Sequence, residues 1–209
     1  MKRALMISAL LVILGTGFIA SCKGKKDNPP AAVNESIITK EDTPVTITLK
    51  GTDPEGKQVT FTKLADPVHG KLIGTEPNFV YTPEQNFSGV DSFSFKVSDG
   101  VFDSNTAFIS IAITSENDPP VAKDDVIEIV EDTNMVTLKV LDNDTDTDGD
   151  ILTILSAAEG KSGSIVISSD NKTIIYTPLK NFSGTDTFTY TVSDSKGGTG
   201  KGTVHIKVN

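Results

Sequence analysis

A chain of 209 residues is long enough for one or two domains, each with a core of its own. Aromatic content is 6% with no Trp, and the 17 Gly and 10 Pro favour short strands and turns over helices. The net charge of −9 argues against nucleic acid as a partner, since phosphates attract clustered Lys and Arg; cation binding or plain solubility remain as meanings of an acidic surface.

In chain order, the first element is an export signal. Lys2 and Arg3 form a short basic start, and residues 4–20 are almost wholly apolar or small. The sole cysteine, Cys22, follows Ile19, Ala20 and Ser21. This arrangement resembles the bacterial lipobox, which implies cleavage before Cys22 and lipidation of Cys22 as the new first residue. Several acyl chains on Cys22 would hold the chain firmly to a membrane. An uncleaved anchor is the alternative, although the run is slightly short for a span. Loss of Lys2 and Arg3 with the signal moves the net charge from −9 to −11. Lys23 stands where Asp is associated with inner-membrane retention in some bacteria, so the resemblance points to the outer membrane. Residues 1–21 are thus expected to be a signal peptide, and residues 22–32, with Pro29 and Pro30, a flexible tether. With no second cysteine, no intrachain disulfide can form.

The remainder is a duplication. YTPEQNFSGVDSFSFKVSDG (81–100) answers YTPLKNFSGTDTFTYTVSDS (176–195) at an offset of 95. Upstream, Glu41-Asp42-Thr43 answers Glu131-Asp132-Thr133 at 90, and GTDPEGKQVTF (51–61) answers DTDTDGDILTI (144–154) at 93. Offsets that grow along the chain place small insertions in loops. Two repeats of about 90 residues follow, at 33–114 and 121–209, joined by a linker at 115–120. Phe93, Phe95 and Val97 alternate with polar residues, as do Phe188, Tyr190 and Val192, the pattern of half-buried strands. Seven strands are predicted in the first repeat, near 34–40, 44–50, 58–64, 70–73, 78–82, 91–98 and 105–114. The second gives 124–131, 135–141, 151–157, 163–168, 173–177, 186–193 and 201–208. The fold class is all-β: two tandem Greek-key β-sandwiches. Tyr81 and Tyr176 read as core or corner aromatics. Pro119 and Pro120 stiffen the linker and interrupt strand pairing.

An acidic EDT, a DxDGD loop, Y-T-P, FSGxDxFxYxVSD and an NDPP linker resemble the bacterial cadherin-like repeats known as tandem-95 repeats, within the Ig-like and cadherin-like sandwiches. The resemblance covers residues 33–209 and implies a secreted or surface protein that acts as a stalk, in adhesion, or as a calcium-rigidified module.

The stretch LDNDTDTDGD (141–150) concentrates five aspartates in nine residues, and like-charge repulsion makes such a cluster costly without a cation. Asp144, Asp146, Asp148 and Gly149 match D-x-D-x-D-G, but the twelfth position is Leu155 where an EF-hand needs Glu, and the flanks read as strands. Resemblance to cadherins implies a calcium site between the domains, from Glu116, Asn117 and Asp118 in the linker, Asp146 and Asp148 in the second repeat, and Glu41 or Asp42 in the first. Glu84 is a weaker candidate. Ser115 replaces the first Asp of the cadherin linker pattern D-x-N-D, and no D-R-E motif is present. Calcium held within the second repeat alone, by Asp144, Asp146, Asp148 and Asp150, is another reading, and a solvated acidic loop another. The first repeat offers only Asp53 and Glu55 at the equivalent loop and reads as a plain turn. Asp99 and Asp194 read as turn-stabilising aspartates.

Catalytic motifs are missing from the sequence: no H-E-x-x-H, G-x-S-x-G or phosphate-binding glycine loop occurs, and His69 and His205 stand alone. The expectation is a non-enzymatic, lipid-anchored envelope protein. Its partners would be the membrane through Cys22 and an unidentified surface protein or glycan, with no nucleic acid. A glycan- or protein-binding module without calcium is the alternative, though glycan platforms favour exposed Trp and Tyr rings.

Overall fold

The computed structural model describes residues 26–158 and 160–209. The expected signal peptide and Cys22 lie outside the described residues.

The first repeat is built from β1 (Ala31–Ala32), β2 (Glu35–Lys40), β3 (Val45–Thr48), β4 (Gly51–Thr52), β5 (Thr60–Ala65), β6 (Gly70–Thr75), β7 (Asn78–Pro83), β8 (Gly89–Ser98) and β9 (Ala107–Thr114). The second comprises β10 (Asp125–Ile129), β11 (Val136–Leu138), β12 (Thr153–Ala157), β13 (Gly163–Ile167), β14 (Ile174–Pro178), β15 (Gly184–Ser193) and β16 (Thr199–Val208). Among the described residues all sixteen elements are strands, and each of the fourteen predicted strands overlaps an observed one.

Each repeat is a four-stranded sheet facing a three-stranded one. The orders are β2-β9-β8-β5 with β3-β7-β6, and β10-β16-β15-β12 with β11-β14-β13. In both repeats the first long strand pairs parallel to the last, β2 with β9 and β10 with β16, while the other ladders of these sheets are antiparallel. The alternating residues meet between the sheets: Tyr81, Phe93, Phe95, Val97, Ile109 and Ile111 in one core, Tyr176, Phe188, Tyr190, Val192, Val204 and Ile206 in the other. Each large side chain of this kind contributes about 1.5–3 kcal/mol on burial.

One buried carboxylate per repeat ties the corner together. Asp91 accepts hydrogen bonds from the Tyr81 hydroxyl (2.8 Å) and from the backbone N–H of Val68, His69 and Ser92. Asp186 repeats this with the Tyr176 hydroxyl (2.9 Å) and the N–H of Lys161, Ser162 and Thr187. This is the aspartate of the FSGxD motif, and it is buried in both repeats.

The tether is shorter than the sequence suggests. Residues 27–32 belong to the first repeat: β1 pairs with β4, and the Asn105 side chain brackets both the N–H and the carbonyl of Ala32. Prolines here do not signal a loose linker. Pro30 is buried, and Asn28-Pro29-Pro30 repeats Asp118-Pro119-Pro120 ninety residues later. The bridge Val121 to Thr145 stands where β1 meets β4 in the first repeat.

Candidate metal centre at the repeat junction

The acidic loop between β11 and β12 folds on its own backbone. Asp146 Oδ1 accepts the N–H groups of Asp148 and Asp150, both at 3.0 Å, as Asp does in tight turns. The turn closes with Gly149 N–H on the Asp146 carbonyl, and Gly149 has φ of 75°, a conformation that favours glycine. With Oδ1 so engaged, Asp146 Oδ2 is buried without a partner, and so is Asp150 Oδ2.

Asp194 arrives from the turn between β15 and β16. Its Oδ1 accepts the N–H of Lys196 (2.7 Å), Gly197 (3.0 Å) and Gly198 (2.9 Å), which fixes the carboxylate. Asp146, Asp150 and Asp194 each offer an oxygen within 4.8 Å of the others. The linker crosses this cluster: the Asn117 amide donates to Asp194 Oδ2 (2.7 Å) and Asp118 N–H to Asp148 Oδ2 (2.8 Å). The first repeat closes the junction through Glu41, itself buried, whose Oε1 accepts Glu116 N–H at 2.5 Å.

The electrostatics are those of an under-neutralised site. Asp118 is pushed above the ordinary carboxylate range, first by burial and then by the charges of Asp148, Glu41, Asp42 and Asp146. Asp194 is held low by the Asn117 amide, which with the three backbone N–H groups outweighs burial. Lys196 supplies one positive charge, its Nζ lying 2.7 Å from Asp150 Oδ1, but the lysine side chain is 58% exposed. Carboxylates about 4 Å apart repel by about 4 kcal/mol at an effective dielectric of 20. One solvated ammonium does not offset several such pairs, whereas a divalent ion held by the two unpartnered oxygens would. Hard carboxylate and amide oxygens suit calcium or magnesium.

The predicted ligands separate into groups. Asp146 and Asp150 come together, and Asp148, Asn117 and Asp118 border them. Glu41 orders the linker, while the Glu116 side chain turns to Lys40 at 2.9 Å. Asp42 caps the Asn86 turn, accepting its N–H at 3.1 Å, as Asp132 does for Asn181 in the second repeat. Three expectations need correction. Glu84 faces His69 at 3.7 Å and is not part of the cluster. Asp144 is spent on the Tyr190 hydroxyl (2.9 Å) and Lys123 N–H (2.8 Å). Glu116 contributes its backbone to the junction, and its carboxylate goes to Lys40 instead. Asp194 escaped the sequence reading because it does stabilise a turn. Its match to Asp99 in the other VSD was the available signal, but nothing local brings it to Asp150, 44 residues away.

The model of the bacterial Ig domain matches this chain twice, at residues 27–112 and 117–207. The chain belongs to the bacterial Ig-domain family. The matches begin at Asp27 and Asn117, so each takes in the Pro-Pro segment that precedes the first strand pairing of its repeat. The chain is 37% identical over 89 residues to Protein GAMETE EXPRESSED 2 of Arabidopsis thaliana; this covers 43% of the chain and only 9% of that much longer protein. Among solved structures, human mucin-like protocadherin EC1-2 superposes with a TM-score of 0.53 at 20% identity, covering 86% of this chain and 98% of that one. Human CDH23 EC21-23 gives a TM-score of 0.58 at 12% identity, covering 87% and 70%. At these identities the likeness concerns the fold: two Ig repeats in tandem, built like cadherin repeats.

Proposed function

We propose that this chain is a lipid-anchored protein of the bacterial envelope in which two Ig repeats form a short spacer or adhesive arm, stiffened by calcium at their junction. The observation that carries the reading is the convergence of linker, loop and turn on Asp146, Asp150 and Asp194, with two buried carboxylate oxygens lacking any partner. Tandem Ig and cadherin-like repeats are typical of structural and adhesive proteins outside the cell. The anchor rests on the sequence around Cys22, and the outer membrane on Lys23 behind it. A non-enzymatic role is supported by how the polar residues are used. His69 stacks on Phe87 with centroids 4.2 Å apart, His205 lies on the outer face of β16, and the corner acids Asp91 and Asp186 are taken up by backbone N–H groups and a tyrosine.

The test is a calcium titration of residues 24–209 followed by thermal unfolding, with magnesium alongside and Asp146→Asn/Asp150→Asn as the control. Calcium at 100 times its dissociation constant should stabilise the wild type by about 2.7 kcal/mol, and the double variant should lose that gain. A melt unmoved by millimolar calcium would remove the metal from the proposal. Failure of a palmitate analogue to label the chain through Cys22 in its host would remove the anchor.

A further inference from the structure

The junction site has a counterpart at the other end of the first Ig repeat. The offset of 93 aligns Asp53 with Asp146, Glu55 with Asp148 and Lys57 with Asp150; the offset of 95 aligns Asp99 with Asp194; and the offset of 90 aligns Asp27-Asn28 with Asn117-Asp118. The geometry repeats along with the residues. Asp53 Oδ1 accepts the N–H of Glu55 (2.9 Å) and Lys57 (3.0 Å), as Asp146 does in its loop, and Gly56 N–H closes the turn on the Asp53 carbonyl with φ of 79°. Asp99 Oδ1 accepts two backbone N–H groups of its own turn, from Val101 and Phe102. The entering segment crosses the loop as the linker does, with Asn28 N–H (3.1 Å) and side-chain amide (2.7 Å) on the Glu55 carboxylate. Asp53 Oδ2 is buried and unpartnered, like its counterpart Asp146 Oδ2.

The difference that reverses the charge is at residue 57. Where the second repeat has Asp150, Lys57 places its ammonium between two acids, donating to Asp27 Oδ2 and to Asp99 Oδ2 (2.8 Å). The Asp99 side chain is fully buried. We infer that the first repeat carries a degenerate cation site in which the Lys57 ammonium stands in for the metal, pinning residues 26–33 to the repeat without calcium. Two carboxylates meet one ammonium there, and an aspartate at residue 57 would recreate the acid-rich set of the junction. The segment that enters the first repeat is then clamped permanently, while the joint between repeats is the one left to ionic control. The ammonium clamp stands independently of the proposed function; only its reading as a metal substitute rests on that proposal.

Hydrogen exchange read by mass spectrometry on the full chain tests it, with and without millimolar calcium. The reporters are the amides of Asn28, Ala32 and Val33, which are bonded to Glu55, Asn105 and Lys50. In the wild type their protection should not depend on calcium. Lys57→Met keeps the methylene stem and should speed their exchange by about tenfold in either buffer, while Lys57→Arg should preserve protection. Lys57→Asp should be as labile as Lys57→Met without metal and should recover protection in calcium. Unchanged exchange in Lys57→Met, or calcium-dependent protection in the wild type, would overturn the clamp. Lability of Lys57→Asp that calcium does not reverse would overturn the cation-site reading. Peptides spanning 142–150 and 194–200 report on the junction in the same spectra. No calcium response there, with the Lys57→Met effect intact, would sink calcium binding at the junction and leave the clamp standing.

Discussion

Phe95 and Tyr190 hold the same place in β8 and β15, and the added hydroxyl changes the chemistry around it. Tyr190 Oη lies 2.9 Å from both the Val140 carbonyl and Asp144 Oδ1. In the first repeat Gly51 stands where Asp144 does, and Val97 Cγ1 leaves only 2.7 Å for a Cβ there. A single phenolic proton serves one acceptor at a time, so the pocket has more acceptors than donors. Asp125, whose charge reaches Tyr190, has its Oδ2 buried without a partner. Burial, then the charges of Asp144 and Asp124, push Asp125 up to about 6. Since an unfolded Asp titrates near 3.9, the folded chain holds extra protons between about pH 4 and 6. The stability this group contributes is complete below that window and is lost as pH rises through about 6. Asp91 acts in the opposite sense. Burial alone would raise it, but the hydrogen bonds from Val68, Tyr81, Ser92 and His69 prevail and hold it low. Its contribution is present above about pH 4 and lost in stronger acid. In metal-free buffer, thermal melts should therefore rise as pH is lowered from 7.5 to 5.5, and Asp125→Asn should flatten the rise. A wild-type melting temperature that falls over that interval would contradict this account.

The corner between β14 and β15 shows why an element tolerates so little change. The Tyr176 ring is held by its hydroxyl on Asp186 and lies directly over Gly163. A Cβ on Gly163 would sit 2.4 Å from Tyr176 Cζ, and Gly70 stands in the same relation to Tyr81. The ring cannot retreat without breaking the hydrogen bond that anchors β14 to β15. Gly163→Ala should therefore destabilise by about 1–3 kcal/mol, as overpacking of a filled core does. Denaturant unfolding would check it, and a loss below half a kilocalorie would mean that the corner is softer than its packing implies. Asp42 and Asp132, with φ of 53° and 57°, play a matching part at the opposite turn, each bracing the asparagine of NFSG.

For the whole molecule, the decisive element is the six-residue linker. Glu41, Asn117 and Asp118 already give it contacts to both repeats without metal. A cation at Asp146, Asp150 and Asp194 would reinforce those contacts by drawing Asp148 and Asp118 into a neutralised cluster. Cleavage after Glu116 by a glutamate-specific protease should therefore slow severalfold when calcium is added, in line with a raised cost of local opening. An identical cleavage rate with and without calcium would leave the joint to its hydrogen bonds alone.

The duplication, the seven strands per repeat and the inward-facing residues were legible in the sequence, because period-two alternation and turn residues are local signals. The D-x-D-G loop was legible for the same reason: Asp146 bonds to residues two and four positions on. The membership of the site was not. Asp194 reaches Asp150 only because β12 and β15 are neighbours and bring their adjoining turns to the same end of the sandwich. Glu84 reads as a ligand until the fold sets it beside His69, and Asp27 reads as tether until it meets Lys57 thirty residues later. Sequence by itself determined the repeats and their strands, since each is specified by neighbours along the chain. Only the tertiary structure decided which acids share a charge, because that depends on loops far apart in sequence converging at one end of a sandwich.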